Sequence, residues 1–461
     1  MVRVFRHHIP VGTLVQLTAD GLVLFCALLL AVWIQVGPYG VNPAESIVPA
    51  IVFAAVALGL NGTFGMYRRE AVATLGTTLA RLLVAVALGA PITYFLLGVL
   101  PNGRPAQEVM GHALMYTIAG LVLLRQVAHG ARRVGLGARK VLIVGTGPEA
   151  RSVEASLSNL GYPRFSVVGF FAADGGGQDL PPTSRVFQSE NGLLSIVERH
   201  NIEEVIVAVR EQRGGVLPLR ELLECRINGV PVMDLAGFYE RVRGEVPIDS
   251  LKASWLIYGQ GFAQDVLRTT VKRAFDVICA AILLLLSLPV IAITTVLIKL
   301  ESRGPVLYRQ ERVGQGGRSF MCLKFRSMRV DAEKDGVARW AQAKDPRVTR
   351  VGSFIRKVRI DELPQLLNVL RGEMSLVGPR PERPAFVAQL KESIRFYDVR
   401  HSVKPGLTGW AQVRYSYGAS IEDAVRKLQF DLYYVKNHSL FLDLLILVET
   451  VRVVLFREGA H

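Results

Sequence analysis

Four apolar runs within the first 124 residues constrain this chain more than any other feature. They lie at about Val11–Val36, Ile47–Met66, Leu82–Leu100 and Val109–Leu124, each near the ~20 residues a helix needs to cross a bilayer. The repetition points to a membrane-embedded α-helical bundle rather than the core of a soluble protein. The first run has no clear cleavage site and three similar runs follow it, so it reads as a span and not a signal peptide. Charge in the connectors sets the orientation. Arg3 and Arg6 precede the first run, Gly37–Ser46 has neither Lys nor Arg, and Arg68, Arg69 and Arg81 fill the second connector. The third has only Arg104 beside Glu108, and Arg125, Arg132, Arg133, Arg139 and Lys140 follow the fourth run. This alternation predicts four spans with both ends in the cytoplasm.

Beyond the bundle the pattern changes to strands alternating with helices. Lys140–Thr146, Phe165–Phe171, Val205–Val209 and Val230–Leu235 read as strands, and Gly192–His200 and Leu217–Ile227 as helices. Such alternation implies an α/β, Rossmann-like domain with a doubly wound parallel sheet. The turn from Gly145 to Ala150 (GTGPEA) could seat a pyrophosphate on a helix N-terminus, with Asp174 as a ribose partner. The same glycines also serve close strand-to-helix packing, so a structural or regulatory domain is the primary expectation. The expected division is 1–135 for the transmembrane region, 136–247 for the Rossmann-like domain, 248–270 for a linker and 271–461 for a mainly α catalytic domain.

A fifth apolar run, Val277–Ile298, behaves differently from the first four. Pro289 interrupts it, Ser287 stands just before, and basic residues flank both ends: Lys272 and Arg273, then Lys299, Arg303, Arg309 and Arg312. Proline removes a helical hydrogen bond, and a nearby serine can help satisfy the freed carbonyl. A crossing helix would carry positive charge to the wrong face. The expectation is therefore a re-entrant helix, with Ser287 and Pro289 at the kink and an ordinary fifth span as the alternative. The last segment, Phe441–Phe456, carries Asp443, Glu449 and Arg452 and is expected to lie along the interface.

The formal charge of +15 fits an anionic lipid face or anionic substrates. Nucleic acid is not an expected partner, since no zinc-finger, RRM-like or basic-zipper signature occurs. The scattered Cys26, Cys225, Cys279 and Cys322 form no disulfide framework and fit a reducing compartment. Chemistry concentrates in Arg356–Pro381, RKVRIDELPQLLNVLRGEMSLVGPRP. Asp361 and Glu362 sit ahead of an amphipathic run, with Arg356, Lys357 and Arg359 before it and Arg371 and Arg380 after it. Adjacent acids in a basic cradle suit phosphate chemistry, cations holding the anion while a carboxylate attacks or binds metal. The plainer alternative is that Asp361 N-caps a helix.

KRAFDVI at 272–278, QERVG at 310–314, KFRSM at 324–328, DELPQLLNVLRGEMSLVGPRP and KPGLTGWAQV at 404–413 occur in order. Together they resemble the bacterial polyprenyl-phosphate phosphoglycosyltransferases, the sugar transferases that begin exopolysaccharide and O-antigen repeats. The resemblance covers about 190 residues at the C-terminus, and the helical and Rossmann-like parts are similar to the family's long form. It implies transfer of a sugar-1-phosphate from a UDP-sugar to undecaprenyl phosphate with release of UMP. It further implies Asp361 as a nucleophile forming a covalent phosphosugar, Glu362 with Asp361 as Mg²⁺ ligands, and Arg380 as a phosphate-binding residue. Lys324, Arg356 and Lys404 are further expected substrate-binding residues, and Asp431 of DLYYVKN is another candidate site residue. The family uses a re-entrant helix, commonly with Ser directly before the proline; here Leu288 intervenes. The implied setting is the bacterial inner membrane, with the catalytic domain on the cytoplasmic face. A homodimer and downstream glycosyltransferases are the expected protein partners. Two alternatives differ in class. A membrane-bound nucleotide-sugar dehydratase or epimerase would need a second GxGxxG and a Tyr-x-x-x-Lys pair after residue 260. A non-enzymatic assembly scaffold would not require Asp361, Glu362 and Arg380 together.

Overall fold

The computed structural model describes residues 2–4, 7–9, 11–35, 43–64, 66–67, 75–133, 139–158, 165–172, 185–188, 192–209, 217–248, 266–330, 332, 345–415 and 420–456. The chain packs as two units that divide between Val242 and Arg243, except that Arg3–His8 group with the second. Asp174 and most of the expected linker lie outside the described residues.

In the first unit, α1 (Val11–Gln35) packs against α2 (Ile47–Thr63) and α4 (Met110–Arg133), while α2 also packs against α3 (Leu75–Val99). Leu24, Leu28, Phe53, Leu82, Leu97 and Leu121 form their common core. Helices form at all four apolar runs, but their lengths differ from the expectation. Among the described residues, Thr13–Gln35 and Arg81–Val99 are the two in this unit long and apolar enough to cross a membrane. Helix α2, at 17 residues, spans about 26 Å and falls short of the hydrocarbon core. Helix α4 has the length but carries Arg125, which is buried and bonds Asp20 of α1 at 2.5 Å. Tyr67 also donates to Asp20, at 3.0 Å. A charge inside an apolar bundle is tolerated when it is paired in this way.

The α/β part begins with β1 (Arg139–Val144), followed by α5 (Pro148–Ser158), β2 (Phe165–Phe171), β3 (Val186–Phe187), α6 (Leu193–His200), β4 (Glu204–Val207), α7 (Leu219–Ile227), β5 (Val232–Asp234) and α8 (Leu235–Val242). The sheet order is β3-β2-β1-β4-β5 and every pairing is parallel. Strands β1 and β4 are buried on both faces because helices cover both sides, which explains their unbroken apolar runs.

The second unit is organised by α9 (Val266–Glu301), a 36-residue helix about 54 Å long that contains Pro289. Its central apolar surface is largely uncovered; Leu285 and Leu286 are examples. Ser287 Oγ donates to the Leu284 carbonyl at 3.0 Å. The carbonyl deprived of its partner by Pro289 is that of Leu285, one residue further along. The polar letters of KRAFDVI tie the start of α9 to segments much later in the chain. Lys272 bonds Asp276 at 2.7 Å and Asp443 at 3.0 Å, and Asp276 accepts from Ser375 Oγ at 2.8 Å. Arg273 donates to the Val369 and Leu370 carbonyls at 2.6 and 2.7 Å, satisfying helix-end acceptors. At the other end, Glu301 accepts from the Arg350 amide at 2.7 Å, and Arg326 donates to the Ser302 and Arg303 carbonyls.

After α9 come an antiparallel hairpin, β6 (Leu307–Val313) with β7 (Ser319–Phe325), then α10 (Arg350–Lys357), a 3-10 turn (Ile360–Glu362) and α11 (Gln365–Arg371). Strand β8 (Ser375–Val377), α12 (Pro384–Ser393), a second 3-10 turn (Tyr397–Ser402), β9 (Gly406–Thr408), α13 (Trp410–Arg414), α14 (Ile421–Asn437) and α15 (Leu440–Phe456) complete it. Asn368 of α11 accepts from the Leu323 amide at 3.0 Å and donates to the Met321 carbonyl at 2.8 Å, locking α11 to β7. Strands β8 and β9 run parallel, and their ladder continues through Gly378 N to Thr408 O and Gly406 N to Pro379 O, each 2.9 Å. The two backbones approach so closely that a Cβ on Gly406 would overlap the Gly378 amide nitrogen. Gly406→Ala is accordingly expected to lose more than about 3 kcal/mol of stability. Gly316→Ala meets no atom within 4 Å and strains only a left-handed backbone (φ 66°), so it should cost about 1–2 kcal/mol. Melting curves of the two detergent-solubilised variants check the contrast.

Candidate active site

The dyad lies on the 3-10 turn between α10 and α11. Arg359, just before it, has left-handed backbone (φ 59°, ψ 16°), and this reverses the chain so that both acids face inward. Asp361 and Glu362 are buried. Lys324 reaches Glu362 Oε1 from β7 at 3.1 Å, and Arg380, from the loop after β8, reaches the same oxygen at 2.8 Å. Arg359 stands 3.9 Å from it. Asp361 Oδ1 is buried and accepts no hydrogen bond.

These surroundings drive the two carboxyls apart. Burial pushes Asp361 above the usual carboxylate range and the Glu362 charge adds to this, while Lys324, Arg359 and Arg380 only partly oppose it. Burial would also raise Glu362, but Arg380, Lys324 and Arg359 overcome it and hold that group well below the usual range. One acid is thereby fixed as an anion inside a cationic cage. Its neighbour keeps an unsatisfied oxygen, the property a nucleophile or a metal ligand requires.

Buried groups behind the site hold Arg380 in place. Arg400 donates to Asp431 at 2.8 and 3.0 Å, to the Arg380 carbonyl at 2.9 Å and to Tyr397 Oη at 3.1 Å. Arg312 of QERVG donates to the Pro381 carbonyl at 3.1 Å, and the Val313 amide bonds the Glu382 carbonyl at 2.9 Å. The structure thus gathers Asp361, Glu362, Lys324 and Arg380 directly, and Asp431 one step behind them. Arg356 donates instead to Ser327 Oγ at 2.8 Å. Lys404 lies beside Arg273 near the C-terminal end of α11, whereas the dyad precedes its N-terminal end, about 10 Å of helix away. Arg400 and Asn368 carry structural weight that sequence reasoning missed; Arg400 sits in no recognisable pattern, and Asn368 was hidden among the apolar letters of DELPQLLNVL.

A divalent cation can be tested against this donor set. Among the described residues no group of three His, Cys, Asp or Glu side chains comes together. The unpartnered Asp361 Oδ1 beside Glu362 still fits Mg²⁺, which takes one or two carboxylates and completes its shell with phosphate oxygens and water.

The opposite shifts predict opposite stability effects. Because the folded pKa of Asp361 is raised, its ionised form costs stability above that pKa, and the cost vanishes below the unfolded value of about 3.9. Asp361→Asn should melt higher than wild type at pH 7–8, with the gap closing towards pH 4. Glu362 has a depressed folded pKa, so its charge stabilises the fold above about pH 4.3 and this is lost on acidification. Glu362→Gln should melt lower than wild type at neutral pH. Thermal melts across pH check both signs.

Residues 267–457 match the family model described as bacterial sugar transferase. The chain is 31% identical to the UDP-glucose:undecaprenyl-phosphate glucose-1-phosphate transferase of Xanthomonas campestris pv. campestris, over 97% of this chain and 93% of that protein. It is 46% identical to the UDP-N-acetylgalactosamine-undecaprenyl-phosphate N-acetylgalactosaminephosphotransferase of Aeromonas hydrophila, over 52% of this chain and 56% of that one. It is also 36% identical to the undecaprenyl-phosphate glucose phosphotransferase of Komagataeibacter xylinus, over 70% and 60%. In these last two cases the matched stretch covers 56% and 60% of the relative's length. The dyad, its cationic cage and the glycine-dependent approach of β8 to β9 all fall within the matched region: this chain belongs to the bacterial sugar transferase family.

Proposed function

We propose that the protein moves a sugar-1-phosphate from a UDP-sugar to undecaprenyl phosphate, the first membrane step of an exopolysaccharide or O-antigen repeat. The relatives' names support the acceptor and the class of donor. The observation that carries the mechanism is the buried, unpartnered Asp361 oxygen next to a Glu362 gripped by three cations. In the first step the Asp361 carboxylate attacks the sugar-bearing phosphorus, a P–O bond breaks and UMP leaves with the bonding electrons. In the second, a phosphate oxygen of undecaprenyl phosphate attacks the same phosphorus and Asp361 is released. A poorly solvated carboxylate has more to gain from bonding to phosphorus than one in water. Mg²⁺, held by Asp361 and Glu362, would supply charge neutralisation at the phosphates. Arg380 and Lys324 hold non-transferring phosphate oxygens, and the Arg400–Asp431 pair keeps Arg380 in register.

The reading extends to topology: α9 enters one leaflet and returns. Residues at both of its ends bond to the same compact unit, through Asp276 to Ser375 and through Glu301 to Arg350. A helix crossing the bilayer delivers its ends to opposite faces. The unit would then sit on the cytoplasmic face of the inner membrane, with the four N-terminal helices beginning and ending there and residues 136–247 forming a separate structural or regulatory domain.

The purified protein, incubated with undecaprenyl phosphate and a panel of UDP-sugars, should release UMP with ping-pong kinetics. Without lipid, sugar label should appear on the peptide containing Asp361. Asp361→Asn should lose several orders of magnitude in turnover while remaining folded. Sequential kinetics with an active Asp361→Asn variant would refute the mechanism. Single cysteines placed near Lys272 and near Arg303 should both be labelled only from the cytoplasmic side; periplasmic labelling of either rules out a returning helix.

A further inference from the structure

Arg359 occupies a position where an arginine gives the backbone nothing. It follows the end of α10 in the left-handed region, the place where helices ordinarily put glycine, or asparagine, because a Cβ is strained there. Among the described residues, three other non-glycine residues have positive φ, and two of them are asparagines. A favourable charge for the α10 C-terminus does not explain the choice either, since Arg356 and Lys357 already supply it in the last turn.

What the strained residue does place is a guanidinium 3.9 Å from Glu362 Oε1, the longest of the three cation contacts to that oxygen. Its side chain is 40% exposed, against 29% for Arg380 and 20% for Lys324, so it forms the outer lip of the cage. Three cations face two carboxylates, leaving surplus positive charge on the open side. A ligand with more than one negative charge and a planar, two-point acceptor geometry matches that surplus.

We propose that Arg359 is a substrate-binding residue whose guanidinium exchanges Glu362 for the diphosphate of the incoming nucleotide donor. This rests on the sugar-phosphate transfer reading above. The exchange forms and breaks no covalent bond: one ion pair is given up, and a charge-assisted contact to a phosphate oxygen replaces it. It also loosens one of the three grips on Glu362 when substrate arrives, so the resting cage opens only in the presence of its ligand.

Arg359→Gly in the full-length protein separates this role from a structural one, because glycine relaxes the backbone while deleting the cation. The variant should melt at the same temperature as wild type or higher. Its affinity for UDP in the presence of Mg²⁺, measured by calorimetry, should fall roughly tenfold to a hundredfold, the loss of one charge-assisted hydrogen bond. KM for the UDP-sugar should rise in parallel, by a larger factor than any fall in kcat. Arg359→Lys should recover part of the affinity. Unchanged UDP binding in Arg359→Gly, or weaker binding accompanied by a lower melting temperature, overturns the inference. A wild type that binds UDP through Arg359 yet transfers no sugar phosphate would instead overturn the reaction and leave this role standing.

Discussion

The grip of Lys324 and Arg380 on Glu362 is the interaction around which the candidate site is built, with Arg359 only at its outer edge. It joins a strand, a loop and a tight turn that are separate in sequence, and it does so around a carboxylate removed from water. Burying such charges costs several kcal/mol per ion unless each is paired, and deleting one partner strands the others. Glu362 is therefore at once a structural keystone and a chemical group. Asp361 is the converse: its oxygen is left without a donor, so the fold tolerates a destabilising neighbour beside a stabilising one. The division of labour comes from partners and not from residue type, since both are carboxylates on one short turn.

A second polar assembly fixes the membrane helix to this arrangement. Lys272 bridges Asp276 and Asp443, Asp276 accepts from Ser375, and the Tyr434 hydroxyl lies within hydrogen-bond distance of both Asp443 (2.7 Å) and the Val377 carbonyl (2.9 Å). The start of α9, the strand that leads to Pro379 and Arg380, and α14 with α15 thus share one buried network. The charged letters of KRAFDVI, read in the sequence as a basic flank of the apolar run, anchor the helix in the folded chain to the body that carries the dyad.

Much of this was legible because it follows a period or a local cluster. The apolar runs announced the helices, unbroken β-branched runs announced β1 and β4, and adjacent acids among bases announced the dyad. Length was harder to read than helicity: α2 ends after Thr63, and α4 includes Arg125, whose cost disappears only once Asp20 is its partner. Linear proximity alone does not group the cations, and Lys324 entered the expected set through the family resemblance. Arg356 is five residues from Asp361 but its guanidinium turns to Ser327, while Lys324 is far away in sequence and touches Glu362. Arg400 left no trace, because what it joins, Asp431 and the Arg380 carbonyl, lies 31 and 20 positions away in the chain. Strand β3, with two residues, is below the length at which alternation becomes visible.

The Asp20–Arg125 pair imposes an order on the making of the protein. The two residues are 105 positions apart, so at ribosomal rates of roughly 5–20 residues per second α1 exists for about 5–20 s before Arg125 has been synthesised. During that interval the first helix carries a carboxyl group with its cationic partner still missing, a poor passenger for hydrocarbon. The pairing of the Asp20 carboxylate is thus coupled to the emergence of α4. A nascent chain that stops before Arg125 is left with an acidic side chain in its first helix that lacks this counter-charge.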